Sequence, residues 1–341
     1  MKNKNIVIGL VSIVLLLAVS VYLILKTQTD TFKKDLTNFA VKDTASISKI
    51  FLADRTGKKV VLERISVSEW KVNGKFEARP QAIKLLLQTI HNISVKATVP
   101  KPAFNNVVKR LATGAVKVEI YKHDELAKTY YVGGATQDSY GTYMIMENST
   151  TPYIMWMQGF EGYLTPRYFT EENVWRNTAL IHISPIEIAS VKMEYPKNPE
   201  QSFELILKHD VANAKKIEFS VKAVKTGKEI NFDTNAVKAY LLAFKNLDYE
   251  VVADLLGNKT KDSILALTPM HILTLKETNG KITVIKTYPR KGKPGQVDEK
   301  GKQMPYDLDR FWAFLNNSRE ALILQYFGYD KVFKPVTSFE K

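Results

Sequence analysis

The chain writes the same amphipathic helix twice. Gln81-Ala-Ile-Lys-Leu-Leu-Leu-Gln-Thr-Ile-His-Asn-Ile93 aligns without a gap on Asn235-Ala-Val-Lys-Ala-Tyr-Leu-Leu-Ala-Phe-Lys-Asn-Leu247. Ala82, Lys84, Leu87 and Asn92 thereby fall on Ala236, Lys238, Leu241 and Asn246. Apolar residues recur at three- and four-residue spacing in both, at Ile83, Leu86, Leu87, Ile90 and Ile93 and at Val237, Tyr240, Leu241, Phe244 and Leu247. That period gives each helix one buried face. The later parts correspond as well. Tyr168-Phe169 followed by Val174-Trp175-Arg176 matches Tyr326-Phe327 followed by Val332-Phe333-Lys334, at a slightly larger offset. Two matches in the same order predict a tandem duplication with its boundary between Arg176 and Pro185, hence a pair of domains and not a solenoid.

Strand signals flank each helix. Ile47–Leu52 and Lys59–Ile65 lie on either side of the turn sequence Asp54-Arg-Thr-Gly57. After the helix, Val116, Val118 and Ile120 alternate with Lys117 and Glu119, the pattern of a half-buried strand. His123-Asp124-Glu125 then turns the chain into Lys128–Val132. In the second copy Ser202–Leu207 and Lys216–Lys222 precede the helix, and Ile272–Leu275, Asn279-Gly280 and Ile282–Thr287 follow it. The predicted class is α+β: two tandem related domains, each an antiparallel sheet with one main packed helix, and no βαβ alternation.

Ahead of the duplication, Ile6 to Leu25 form an uncharged run between Lys4 and Lys26. As a helix rising about 1.5 Å per residue it covers roughly 30 Å, the hydrocarbon thickness of a bilayer. The run predicts a transmembrane anchor through Ile6, Leu15 and Leu25, preceded by a short tail (1–5) and followed by a polar stalk (26–43). The first repeat domain is then expected over 44–180 and the second over 181–341. A signal peptide is the rival reading, since Ala18-Val19-Ser20 has small residues at suitable positions, but Val21 to Leu25 prolong the apolar run past them. A lipoprotein needs a cysteine, and the chain has none. Lys2 and Lys4 face Lys26, Lys33 and Lys34, close to a tie for orientation. The very short tail is expected to stay in the cytoplasm, which sends the large domain outward.

Forty-nine basic residues stand against thirty-five acidic ones, a net charge of +14. Anionic lipid head groups or another acidic envelope surface would attract such a body. The lysines are scattered among strands and turns, with one concentrated loop at Tyr288–Gly295, and they form no stripe beside a reading element. Nucleic acid is therefore not an expected partner.

Chemistry-bearing patterns are sparse. His91, His123, His182, His209 and His271 never pair at ligand spacing, so no metal site is predicted. Gly133–Gly141 has neither the Gly-Lys-Ser/Thr ending of a P-loop nor dinucleotide-fold spacing, and reads as a hairpin loop. No nucleophile elbow surrounds Ser139, and Asp138 with Glu171 or Glu172 could pair only through the fold, whereas surface acids are far commoner. No catalytic or cofactor residue is assigned, and a small-molecule ligand stays open. Aromatic side chains crowd Tyr153, Trp156, Phe160, Tyr163, Tyr168, Phe169 and Trp175. They are either core where the two copies meet or a recognition platform, for which Trp156, Phe160 and Tyr163 are the candidate partner-binding residues. The second copy has Ala313–Ser318 near the place of Gly159–Tyr163, so a specific surface is expected in the first copy.

The duplicated helix, the Tyr153–Met157 strand, Gly159-Phe-Glu-Gly-Tyr163 and Val174-Trp-Arg176 together resemble a bacterial family defined only as a domain of unknown function. Its members carry one amino-terminal membrane helix and a duplicated α+β body, and are often encoded beside gliding-type ABC transporter components. The resemblance implies a bacterial inner-membrane protein, single-pass, with a periplasmic body and a protein partner in the envelope. It carries over no catalytic residue. The expected function is a non-catalytic binding or scaffold subunit. The alternatives are an envelope hydrolase or small-ligand sensor with a site between the repeats, and a freely secreted body.

Overall fold

The computed structural model describes residues 36–209 and 217–341, together with Leu16, Val19 and Ser20. The anchor positions Ile6, Leu15 and Leu25 lie outside the described residues. Among those described, no helix is long and apolar enough to cross a membrane.

The chain divides after Asn177 into two compact units. In the first, β1 (Ile47–Ala53), β2 (Lys59–Arg64), β3 (Trp70–Val72) and β4 (Phe76–Glu77) lead into helix α1 (Pro80–Asn92). Then follow β5 (Ile93–Thr98), α2 (Lys101–Gly114), β6 (Val116–Lys122), β7 (Glu125–Ala135), β8 (Thr142–Met146), β9 (Tyr153–Met157) and the short α3 (Glu172–Trp175). The sheet has nine strands in the order β4-β3-β2-β1-β6-β7-β8-β9-β5, every neighbour antiparallel.

The second unit starts with β10 (Ala179–Ile181), β11 (Ile188–Glu194), β12 (Phe203–His209) and β13 (Ile217–Ala223). It continues through α4 (Thr234–Leu242), β14 (Leu247–Asp248), β15 (Val251–Val252) and α5 (Asn258–Leu265). It closes with β16 (His271–Glu277), β17 (Ile282–Lys291), β18 (Tyr306–Leu315), β19 (Leu322–Gln325) and α6 (Tyr326–Tyr329). Its eight-stranded sheet runs β13-β12-β11-β16-β17-β18-β19-β15. Strand for strand this is the first sheet without β4, and α1, α2 and α3 find their counterparts in α4, α5 and α6. The topology repeats as well as the helix.

The repeat reaches further toward the amino terminus than the helix alignment indicated. The Val41 amide donates to the Ile90 carbonyl (3.0 Å), and the Ile183 amide donates to that of Phe244 (3.1 Å), the residue aligned with Ile90. Each copy thus begins with a segment tucked against its helix. Phe39 and Val41, assigned to the stalk on polarity of the surrounding sequence, are core residues of the first unit.

Besides its main packed helix, each unit has a second on the other face of the sheet. Helix α1 buries Ile83, Leu86 and Ile90 on the face of the sheet that presents Tyr130, Val132 and Met144. Helix α2 buries Val107 and Leu111 on the opposite face, against Tyr131, Tyr143 and Ile145. Alternate residues of one strand therefore serve two layers. The second unit repeats this, with α4 in its main core and Ile264 of α5 in a smaller cluster with Tyr288 and Phe314.

A glycine sets how closely α2 approaches. A methyl group on Gly133 would lie 2.6 Å from Leu111 Cδ2 and 2.9 Å from the Tyr143 carbonyl oxygen. Gly133→Ala is expected to cost about 1–3 kcal/mol through overpacking. Gly114→Ala, at a position with nothing within 4 Å of an added methyl, serves as the control. Equal urea midpoints for the two variants would show that the helix–sheet contact tolerates the methyl.

Candidate functional site

Strand β9 presents its residues alternately to the two faces. Tyr153, Met155 and Met157 join the main core, whereas Ile154 packs toward α2. The half-buried Trp156, two residues on, shares the face of Ile154. Beyond β9 only β5 remains, and that edge strand carries a bulge between Val95 and Ala97 with Lys96 inside it. The Lys96 ammonium stands 5.9 Å from the Trp156 ring and 6.0 Å from the Tyr140 ring, and donates to the Tyr140 carbonyl (3.1 Å). A cation over two aromatic faces at a sheet edge is a polar-tipped, largely pre-formed contact surface.

Tyr140 belongs to the β7–β8 hairpin, which is what Gly133–Gly141 builds, with the Thr136 amide donating to the Gly141 carbonyl (2.9 Å). Asp138 sits at its tip and accepts from the Thr136 hydroxyl and the Tyr140 amide. Those hydrogen bonds, with Lys96 nearby, hold its carboxyl below the usual range.

The loop after β9 goes to the other face. Phe160 packs against the main core, with the Arg167 guanidinium 4.1 Å above its ring. Arg167 in turn donates to the Thr89 hydroxyl of α1 (3.0 Å), and partial burial lowers its pKa. Gly162 takes φ +140°, and a methyl group there would lie 3.1 Å from the Phe160 ring, so a side chain would be strained. Tyr163 is 40% exposed, and its neighbour Leu164 is buried. The three sequence candidates therefore separate. Trp156 joins Lys96 and Tyr140, Phe160 is an internal anchor, and Tyr163 stands at the surface on the Phe160 loop. Lys96 and Tyr140 were missed because the bulge that places Lys96 leaves no periodic signal.

The remaining aromatics of this stretch divide in the same way. Tyr168 and Trp175 are buried in the first unit's own core, and the hydroxyls of Tyr168 and Tyr130 meet at 3.3 Å. Asp138, Glu171 and Glu172 do not converge. Glu171 pairs with Lys58 (2.9 Å) and Glu172 accepts from the Asn73 side-chain Nδ2 (2.6 Å), each apart from the hairpin tip. Among the described residues no three histidine or carboxylate side chains are grouped to hold a metal ion. His271 stacks on Phe333 at 3.9 Å, His182 meets Asp248 at 3.0 Å, and His91 Nδ1 lies 2.8 Å from the Lys42 carbonyl.

Residues 70–268 match the model of a family described as Domain of unknown function (DUF4340), over half of the chain. The chain belongs to the DUF4340 family. No curated protein and no solved structure matches it. The DUF4340 match begins at β3 and ends beyond α5, so it takes in Lys96, Tyr140, Trp156, Phe160 and Tyr163 and crosses from one unit into the other.

In this DUF4340 protein the second copy also departs from the first after its last long strand. After β9 the chain makes the Gln158–Tyr163 loop before reaching Tyr168, whereas β19 passes directly into Tyr326. The second copy has no such loop, and Ala313–Ser318 is the end of β18 and its turn into β19. Phe169 packs edge-on to Trp175, yet its counterpart Phe327 is 92% exposed. Among the described residues the most exposed aromatic ring is thus in the second copy.

Proposed function

We propose that this DUF4340 protein is a membrane-anchored envelope protein whose two α+β units bind or scaffold other envelope components. In this reading the apolar run Ile6–Leu25 holds it in a bacterial inner membrane, and the body lies in the periplasm as an accessory to an ABC-transporter or gliding-type assembly. Leu16 and Val19 are helical with exposed apolar side chains, as a lipid-facing segment requires. The net charge of +14 suits a body working close to anionic head groups. The observation that carries the binding role is the Lys96–Tyr140–Trp156 cluster on a bulged sheet edge, with 53% of Tyr140 exposed. Aromatic rings held in place beside a cation lose little freedom when a partner covers them.

The test is crosslinking of the full-length chain in native membranes, followed by identification of what is recovered. Transporter or other envelope subunits are the expected yield. Lys96→Ala and Tyr163→Ala should each lower that yield severalfold, with unfolding free energies within about 0.5 kcal/mol of the parent because both side chains lie at the surface. Phe160→Ala is unsuitable, since it removes core packing and uncovers Arg167. A chain recovered alone from its membrane, or yields indifferent to both substitutions, would sink the proposal.

A further inference from the structure

One rim of the first unit's sheet lies where β1 starts at Ile47, between the β2–β3 turn (65–69) and the β6–β7 turn (123–124). The strand order β3-β2-β1-β6-β7 puts three strand spacings, about 14 Å, between the two turns. The chain reaches β1 through this rim. Lys128 Nζ donates to the Asn38 carbonyl (2.6 Å) from a place three residues into β7, about 10 Å from the turn. Asp43 then comes within 4.0 Å of Lys122, at the end of β6. The entering segment also fastens both turns. Arg64 donates to the carbonyls of Thr44 (2.9 Å), Ile47 (2.7 Å) and Val67 (3.1 Å), which fixes the first. The Asp124 amide donates to Ser48 Oγ (3.0 Å), and that hydroxyl donates to the Asp124 carboxylate (3.2 Å), which fixes the second.

These rigid turns hold apolar side chains in water. Val67 is 92% exposed, and Ile65 and Leu126 are each 56% exposed. Among residues 36–177 the next most exposed aliphatic side chain, Leu85, reaches only 42%. Scattered single exposures are ordinary, but here the three largest share one rim. From this geometry we infer that the rim is the lipid-facing surface of the first unit, with Val67, Ile65 and Leu126 dipping among the head groups on either side of the entering chain. The inference depends on the membrane-anchored reading above and adds which surface of the unit meets the bilayer. Lipid is the occupant because of where the chain comes from. Ten residues (26–35) separate Leu25 from Leu36, and fully extended they span at most about 36 Å. Apolar groups that lie flat against a bilayer bury themselves at the boundary of head groups and acyl chains. Charge plays little part. Across 42–48, 64–69 and 122–128, Lys42, Lys122, Lys128 and Arg64 are balanced by Asp43, Asp124, Glu125 and Glu69.

The chain has no cysteine, so Val67→Cys, Leu126→Cys, Arg55→Cys and Leu15→Cys each give the full chain one site for an environment-sensitive fluorophore. Arg55 lies in the β1–β2 turn, one length of β1 or about 20 Å from the rim. Leu15 reports on the anchor itself. Each labelled chain is reconstituted into phosphatidylcholine vesicles, with and without phosphatidylglycerol, that carry a doxyl quencher near the head groups. Quenching at 67 and 126 is expected to be about threefold that at 55 or more, and equal in the two lipid mixtures. Quenching at 67 and 126 no greater than at 55, with the label at 15 quenched, would overturn the inference and leave the anchor standing. No quenching at 15 would overturn both. Quenching at 67 and 126 that requires phosphatidylglycerol would also overturn it, because the contact would then be electrostatic and not apolar.

Discussion

Trp175→Ala should cost the first unit about 3–5 kcal/mol, the range for emptying a large aromatic site in a core that cannot collapse around it. Trp175 is 2% exposed and among the largest fully buried side chains. Its indole N–H donates to the Phe169 carbonyl (3.0 Å), and its ring meets that of Phe169 edge-on at 6.4 Å. The residues around it act as a strap. The Arg79 amide donates to the Trp175 carbonyl (2.7 Å), Arg176 bridges to Ala78, and its guanidinium lies 3.6 Å over Phe76. Truncation therefore opens a cavity, orphans a carbonyl and loosens the tie between the end of the unit and the start of α1. Trp175→Phe, which keeps a ring and loses the N–H, should recover more than half of the loss. Hydrogen exchange of peptides from the first unit, measured across a urea series, reads the effect. A loss under about 1 kcal/mol would mean the strap is dispensable.

The second unit should lose stability as the pH falls from 6.5 to about 4, through His271. Its ring stacks on Phe333 at 3.9 Å, takes the Tyr195 ring edge-on at 5.3 Å and has Nδ1 3.0 Å from the Thr287 hydroxyl. Burial among these groups penalises the charged imidazole and lowers its pKa to about 4. Above pH 6.5 the ring is neutral in both folded and unfolded chains and contributes nothing to the pH dependence. Below that the unfolded chain takes up the proton first, so stability falls until the folded state is protonated as well, near pH 4. The full swing is about 3 kcal/mol at most. Carboxylates titrate in the lower part of this window, so the comparison is with His271→Gln, whose slope between pH 6.5 and 5 should be flatter. An identical slope in the variant would remove His271 as the cause.

The duplicated helix, the hairpins and the antiparallel class were legible because their residues repeat with period 3.6 or 2. Asp54-Arg-Thr-Gly57 also reads true. The Asp54 carboxylate caps the amides of Thr56 and Lys58, and Gly57 takes φ +90°. Helix α2 was legible but overlooked, since Ala103, Val107 and Leu111 are spaced for one face. Helix α5 was not, because Ile264 is its only buried residue. The Lys96 cluster depends on a bulge, and Phe327 depends on which loop the second copy lacks. Both are tertiary facts that no local pattern encodes.

The position of β5 has a consequence for synthesis. Ile93–Thr98 leaves the ribosome well before Tyr153–Met157, its only partner in the sheet. A nascent chain must therefore carry a bare strand while the next helix and three strands are made, and the second copy later offers β19 as a competing partner. Pairing across repeats is a typical misfolding route in duplicated chains. Lys96, set in a bulge at the middle of that strand, is the kind of gatekeeper that discourages early or foreign pairing. The counterpart β15 has only two residues and presents little edge to guard.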